Sequence, residues 1–219
     1  HMLFKLEDDQ FGSELSRLLP ENFSLTDGLE VRYERRDEVD GYHIHKFDDH
    51  LKIQYSHFSE VAHALGDILT FKELSLDLHK EAPFNFRGIM LDVSRNAPMR
   101  VEVLKERMAR FSLLGMNQFC LYTEDMFEIE GEPLFGYARG RYTKEEIREL
   151  VDYGRSFGVN LFPCIQTLGH MEQILKYPAY KNMKDNEFIY NVYAEGVYEF
   201  IAKTIDAACE MYDTNLIHI

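Results

Sequence analysis

From Ile89 onward the chain alternates short, unbroken apolar runs with stretches of helical periodicity, and no other feature narrows its fold as much. Ile89-Met90-Leu91-Asp92-Val93 has no polar alternation, the pattern of a strand covered on both faces. Asn96-Ala97-Pro98 opens a helix with Pro near its first turn. Val101, Leu104, Met108 and Phe111 then recur at helical spacing until Gly115. Asn117 to Tyr122 reads as a second strand. Thr143-Lys144-Glu145-Glu146 is a capping box, and it opens a helix carrying Ile147, Leu150, Val151 and Phe157 inward until Gly158. Val159 to Phe162 is a third strand. Val197, Ile201, Thr204, Ala208 and Met211 mark a helix, and Asn215 to Ile219 a fourth strand. Strand and helix in turn predict an α/β fold with a parallel sheet, either open or closed into a barrel. No GxGxxG follows a strand and no GxxxxGK[ST] occurs, so nucleotide-binding versions lose ground.

The first 80 residues have another texture. Gly12 to Leu19 predicts a short helix. Leu29 to Glu34, Tyr42 to His45 and Leu51 to Tyr55 each alternate with period two, which predicts half-buried strands in an antiparallel meander. Ser59 is placed to cap a helix with Val61, Leu65, Ile68 and Leu69 on one face. The expected organisation is a small α+β domain over residues 1–82 and the amino-terminal half of a barrel over 83–219. At roughly 31 residues per βα unit, residues 87 to 219 make about four units of eight, so the barrel reads as truncated. Open strand edges at both sides predict homodimerisation to cover them.

Composition excludes several roles. The 219 residues hold 24 Lys and Arg against 38 Asp and Glu, a net charge of −14. That balance argues against nucleic acid, which needs clustered cations, and against a basic membrane-surface module. No run of about 18 apolar residues predicts a membrane span. Cys120, Cys164 and Cys209 sit singly in apolar stretches, which predicts free thiols in a reducing compartment. No Cys/His spacing matches a zinc site, so neither a metal nor a cofactor is expected. His1-Met2 reads as a cloning remnant. Leu3 to Asp8 is too acidic and short for a signal peptide, and the cytoplasm is the expected location.

In a parallel barrel, functional groups gather at the carboxyl ends of the strands. Those positions are polar here: Asp92, Ser94, Arg95 and Asn96, then Tyr122, Glu124, Asp125 and Glu128, then Gln166, Thr167 and His170. One guanidinium, several carboxylates and an imidazole would converge on one rim. Each has a plainer reading too: Asp92 as a structural carboxylate satisfied by Arg95 or backbone amides, Glu124 and Asp125 as a solvated loop, His170 as a surface histidine. The aromatic loop from Phe127 to Tyr142 would either pack on the rim or stack against sugar rings. The other histidines, His43 and His45 on one strand face among them, read as ordinary surface residues.

Phe86-Arg87-Gly88-Ile89-Met90-Leu91-Asp92-Val93-Ser94-Arg95-Asn96 resembles the first barrel strand of the family 20 glycoside hydrolases, the β-N-acetylhexosaminidases. Met116 to Asp125 is similar to the family's second strand with its acidic end. Pro163-Cys164-Ile165-Gln166-Thr167-Leu168-Gly169-His170 resembles the third strand and its Gly-His turn. The long loop from Tyr122 to Arg141 is similar to that of a branch common in bacterial genomes. The resemblance covers residues 84 to 219 and implies a retaining hydrolase. It would remove terminal N-acetylglucosamine or N-acetylgalactosamine from glycans, with the substrate's own 2-acetamido oxygen as nucleophile. It assigns Arg95 to gripping the sugar's outer hydroxyls. It assigns Asp125, or Glu124 if the strand slips by one, to the acid that works with His170 to support the general acid. Arg87 and Asp92 match positions read as structural. The family's Gly-x-Asp-Glu, which supplies the catalytic pair, follows the fourth strand at once, and here the sequence stops at Ile219. The absence of Trp agrees with missing aromatic walls of the sugar pocket. These 219 residues alone are therefore expected to lack activity. The alternative from another class is a noncatalytic half-barrel that binds a carbohydrate or a partner.

Overall fold

The computed structural model describes residues 2–71, 77–95 and 98–219. By contacts the chain divides into two compact units. The first comprises His1–Gly88, Glu102–Gln118 and Tyr153–Asn160; the second comprises Ile89–Val101, Phe119–Asp152 and Leu161–Ile219.

In the first unit, β1 (Phe4–Lys5), β2 (Phe23–Ser24), β3 (Leu29–Arg35), β4 (Tyr42–Lys46), β5 (His50–Tyr55) and β6 (Asp77–Lys80) form one sheet in the order β2-β1-β3-β5-β4-β6. Helix α1 (Gln10–Leu18) begins where the Asp9 carboxylate accepts from the Gly12 backbone N–H at 2.7 Å. Helix α2 (Ser59–Thr70) starts without a side-chain cap, so Ser59 is its first residue and not its cap. Its buried face holds Val61, Leu65 and Ile68, with Leu69 half-buried.

The expected meander is corrected. Strands β4 and β5 do form an antiparallel hairpin. But β3 pairs with β5 in parallel, Val31 opposite Leu51 and Tyr33 opposite Ile53. Alternation tells which residues face the core and not which strand lies beside which. A parallel neighbour needs a crossover, and β4 itself is that crossover. Strand β6, antiparallel to β4, escaped the sequence reading because Asp-Leu-His-Lys is too polar and short.

The unit's core includes Phe11, whose ring centroid lies 5.1 Å from Phe58 and 5.0 Å from Phe157. Under α2 lies a buried ionic cluster. Glu60 pairs with Arg87, and the Arg87 fork also donates to the carbonyls of Gly115 at 2.7 Å and Phe84 at 2.5 Å. Arg87 is thus a structural clamp.

Strands β7 (Gly88–Asp92), β8 (Gln118–Tyr122) and β9 (Asn160–Cys164) make a sheet in chain order, each in the second unit but for its first residue. Bonds such as Val93 N–H to Tyr122 O and Thr123 N–H to Cys164 O join their carboxyl ends. At the other ends, Asn117 N–H bonds Arg87 O and Asn160 N–H bonds Asn117 O, so numbers rise together and the strands run parallel. Helices α3 (Val101–Leu113) and α4 (Lys144–Ser156) lie between them in sequence. The start of α3 expected at Asn96-Ala97 lies outside the described residues. Thr143 and Glu146 form the expected reciprocal cap, Thr143 N–H to Oε2 at 2.9 Å and Glu146 N–H to Oγ1 at 3.1 Å. After β9 come the short helix α5 (Glu172–Leu175), a 3₁₀ turn (Pro178–Met183) and α6 (Val197–Tyr212).

Two expectations change in detail. The fourth strand is a single parallel bridge between Cys164 and His218, closed by Ile165 N–H to His218 O and His218 N–H to Pro163 O. And β7 is not covered on both faces: Ile89 and Leu91 are half-buried while Met90 and Asp92 are exposed. Its apolar run reads as buried because sequence pattern cannot tell an edge strand from a central one. Cys120, Phe162 and Cys164 cluster with Tyr122 on the sheet face shared with Met90 and Asp92 by alternation. All three thiols are free, Cys120 and Cys164 buried and Cys209 half-buried; burial pushes Cys120 up to about 12. No helix among the described residues is long and apolar enough to cross a membrane.

Candidate functional site

The end of β8 builds the site. Thr123 anchors to β9 twice, its N–H and its Oγ1 both donating to Cys164 O at 2.9 and 3.0 Å. The chain then reverses in a turn closed by Met126 N–H to Thr123 O at 2.7 Å. Glu124 takes the second position of that turn with φ of 47°, a left-handed conformation that a glutamate adopts only under constraint. The turn carries Glu124 and Asp125 in adjacent, buried positions.

Asp125 is 2% exposed and lies 3.0 Å from Arg139 Nε. The Nε–H is not aligned on the oxygen, so neither carboxylate oxygen receives a hydrogen bond among the described residues. Burial raises the Asp125 carboxyl above its ordinary value, and the Arg139 charge offsets this only in part. A buried carboxylate with no donor is rare in a settled core, and marks a place where a ligand or catalytic role is to be sought. Glu124 is raised as well, first by burial. Its Oε1 accepts from the Tyr122 hydroxyl at 3.2 Å, and its two oxygens lie 3.8 Å from Arg95 and Arg139. Gln166, just past β9, donates to the Tyr122 hydroxyl at 3.0 Å. Arg95 is exposed, 3.7 Å from Asp92 and 5.9 Å from the Tyr122 ring centroid. Asp92 accepts from the backbone N–H and the hydroxyl of Ser94, both at 2.8 Å, the bonds of a structural carboxylate.

The rim therefore brings together Asp92, Arg95, Tyr122, Glu124, Asp125 and Gln166. Asn96 lies outside the described residues, and Glu128 and His170 stand apart. Glu128 caps α4, accepting from Lys144 N–H at 2.8 Å. His170 is exposed, at φ of 57°, and has no hydrogen bond or ion pair with Glu124 or Asp125. The residue that sequence reasoning missed is Arg139. It sits in the aromatic loop, donates to Ser94 O at 2.6 Å and faces both acids of the turn. The signal was present only as one of two arginines, with Arg141, ending an otherwise acidic loop.

That loop is held on the site by its glycines and aromatics. Gly136 has φ of 67°, and a Cβ there would stand 2.3 Å from the Asp125 carbonyl oxygen. Phe127, Phe135 and Tyr142 are buried, with Phe127 and Phe135 edge to face at 5.1 Å. These rings pack and do not face solvent, so of the loop's aromatics only the exposed Tyr137 is presented outward. A cavity of about 390 Å³ opens beside Arg139, lined by Ser94, Met126, Gln173, Lys176 and Tyr177 among others. It offers two cations, an amide and an aromatic ring, a lining suited to a polar, hydroxyl-rich ligand.

The chain is similar to known proteins. Residues 84–219 match the family model described as glycosyl hydrolase family 20, catalytic domain. Human hexosaminidase D is 34% identical over 103 residues, 47% of this chain and 21% of that protein. A β-hexosaminidase of Porphyromonas gingivalis is 26% identical, over 66% of this chain and 22% of that protein. Among solved structures, a family 20 exo-β-N-acetylglucosaminidase of Vibrio harveyi, in complex with N-acetylglucosamine, superposes with a TM-score of 0.80 at 20% identity. It covers the whole of this chain and 43% of its own. The family 20 β-N-acetylhexosaminidase of Streptomyces coelicolor gives 0.77 at 19%, covering 100% and 55%. At these identities the structures bear on the fold alone. The chain spans about a fifth of the length of these two sequence relatives.

Proposed function

The chain belongs to glycosyl hydrolase family 20, and from that membership we propose that it forms part of a retaining β-N-acetylhexosaminidase. Its substrates would be glycans ending in N-acetylglucosamine or N-acetylgalactosamine. The observation that carries this reading is Asp125: a buried carboxylate paired with Arg139, beside the constrained Glu124, at the carboxyl ends of parallel strands. In the proposed reaction the 2-acetamido oxygen attacks the anomeric carbon as the glycosidic bond breaks. A general acid gives its proton to the leaving oxygen, and water then opens the cationic ring intermediate.

This chain's share would be binding and charge. Exposed Arg95 offers a planar fork for two sugar hydroxyls. Burial favours the protonated forms of Glu124 and Asp125, so either can hand a proton to a neighbouring acid or take one from it. His170, whose left-handed backbone holds it in the loop after β9, is the resemblance's candidate to join that relay once a ligand is bound. Free thiols at Cys120 and Cys164 fit a reducing compartment such as the cytoplasm. Edge strand β7, with Met90 exposed, would support self-association of the 219 residues, which sedimentation would read as a dimer; a strict monomer at high concentration would exclude it.

The test is hydrolysis of 4-nitrophenyl N-acetyl-β-D-glucosaminide. The family resemblance puts the catalytic Asp-Glu pair directly after the fourth strand, past Ile219. Turnover is expected from a chain that continues past that residue and not from these 219 residues. In the longer chain, Arg95→Ala should lower kcat/KM about 10- to 100-fold, from about 1.5–3 kcal/mol for hydrogen bonds to a charged group. Equal turnover by the short chain would place the whole catalytic set within Glu124, Asp125 and His170 and overturn this account. N-acetylglucosamine binding without turnover by either chain would favour the noncatalytic reading.

A further inference from the structure

On the outer face of the first unit's sheet, three side chains that were far apart in function's usual vocabulary meet. His43 and His45 alternate on β4, opposite in facing to the buried Tyr42 and Ile44. Asp77, at the start of β6, pairs in register with His45. One oxygen of Asp77 lies 2.9 Å from His43 Nε2 and 2.7 Å from His45 Nδ1. All three donor atoms fall within 4.8 Å of one another. We propose that His43, His45 and Asp77 form a binding site for a divalent first-row transition metal of the zinc type.

The Gln54 amide orients the His45 ring and with it the nitrogen that faces Asp77. Glu34, on β3, accepts from Gln54 Nε2 at 2.8 Å. A carboxylate that holds its charge can only accept, and the Gln54 hydrogen bond and Arg36 keep Glu34 below its ordinary value. That fixes the Gln54 amide, so its oxygen is the atom 3.1 Å from His45 Nε2. An amide oxygen can only accept, hence His45 Nε2 holds the proton and Nδ1 in the neutral ring presents its lone pair. The lone pair points at the Asp77 carboxylate oxygen 2.7 Å away. Two acceptors do not face each other at that distance without a cation between them.

Two kinds of cation can fill the need: a second proton on the ring, or a metal. The rings of His43 and His45 lie 4.0 Å apart, centroid to centroid, and share one carboxylate oxygen. A proton on His45 Nδ1 would fill only that one contact, whereas the geometry gathers three ligand atoms. One divalent ion leaves both rings neutral and takes all three donors, each within its preference for imidazole nitrogen and carboxylate oxygen. Gln54 is then a positioning residue: it orients the ligand ring through its far nitrogen, the usual arrangement around a metal-bound histidine. Ideal tetrahedral ligation would hold the donor atoms about 3.3 Å apart, so the site opens by about half an ångström. Among the described residues, Lys52, beside His45 on β5, is drawn 3.6 Å from Glu34 and over the Phe47 ring. His79 faces the site too, but its Nε2 is placed against the Asp40 carbonyl at 3.1 Å and does not ligate. The donors are part-exposed, which leaves the remaining positions to water and makes the site accessible from solvent.

The experiment is a calorimetric titration of the chelator-stripped 219-residue chain with ZnCl2, and in parallel with MgCl2. One zinc per chain and no magnesium binding are expected. The double variant His43→Ala/His45→Ala should lose that equivalent with its circular dichroism unchanged. If that variant fails to fold, Asp77→Asn gives the same reading at an exposed position and should weaken zinc at least about 10-fold. Failure of the wild-type chain to take up zinc, or survival of the equivalent in both variants, would overturn the proposal.

Discussion

Replacing Arg87 by Ala should destabilise the first unit by about 3–5 kcal/mol at neutral pH, the cost of leaving a buried partner charge uncompensated. Glu60 is 3% exposed and depends on Arg87 and His63 for its charge. Burial alone would raise its carboxyl, but the His63 hydrogen bond and the Arg87 charge outweigh it and the value falls below the ordinary one. The substitution also strands the carbonyls of Gly115 and Phe84. The sign with pH follows. A carboxyl depressed in the folded state lends stability that is present above its unfolded value, about 4.3, and lost as pH falls through the folded one. The gap between variant and parent should therefore be wide at pH 7 and narrow in acid. At about 2–4 °C per kcal/mol the melting temperature should fall by on the order of 10 °C. A shift under 2 °C at pH 7 would mean that Arg87 is a surface cation after all.

Arg139→Met should be comparably costly, with a different dependence on pH and a different consequence. It leaves Asp125 and Glu124 buried without their shared cation, at about 3–5 kcal/mol where both are charged. Both carboxyls are already raised by burial. A carboxyl raised in the folded state favours folding below its unfolded value, and that contribution is lost as pH rises through the folded one. Without Arg139 the folded values rise further, so the interval widens. The variant should melt close to the parent near pH 4 and well below it at pH 8. A uniform deficit at both pH values would assign Arg139 to packing alone. In a chain that continues past Ile219, the same substitution should shift the acid limb of the kcat profile upward, because Glu124 and Asp125 would hold their protons to higher pH.

Several elements were legible from the residues. The capping box at Thr143 and Glu146 formed as written because its four groups are local, three residues apart. The buried faces of α2, α4 and α6 followed from helical spacing. Asp92, Arg95, Tyr122, Glu124, Asp125 and Gln166 fell on one rim, because parallel strands put all carboxyl ends on one side, while Glu128 and His170 did not. That Glu124 and Asp125 close the second strand was legible in the sequence. The left-handed backbone of Glu124, the burial of both and the approach of Arg139 to Asp125 were not.

Chain order and periodicity suffice to specify an α/β segment from Ile89 onward whose strands run parallel, and a motif of eleven residues from Phe86 points to its family, since both are properties of residues close together in sequence. Tertiary structure alone decided that β3 lies beside β5, that Met90 faces outward, that Arg139 reaches back to Asp125, and that Asp77 meets His43 and His45. The pairings among these join residues separated by a dozen positions or more, and the facing of Met90 follows from β7 lying at the sheet edge. Their meeting depends on which strands become neighbours, and a local pattern of polar and apolar residues carries no record of that.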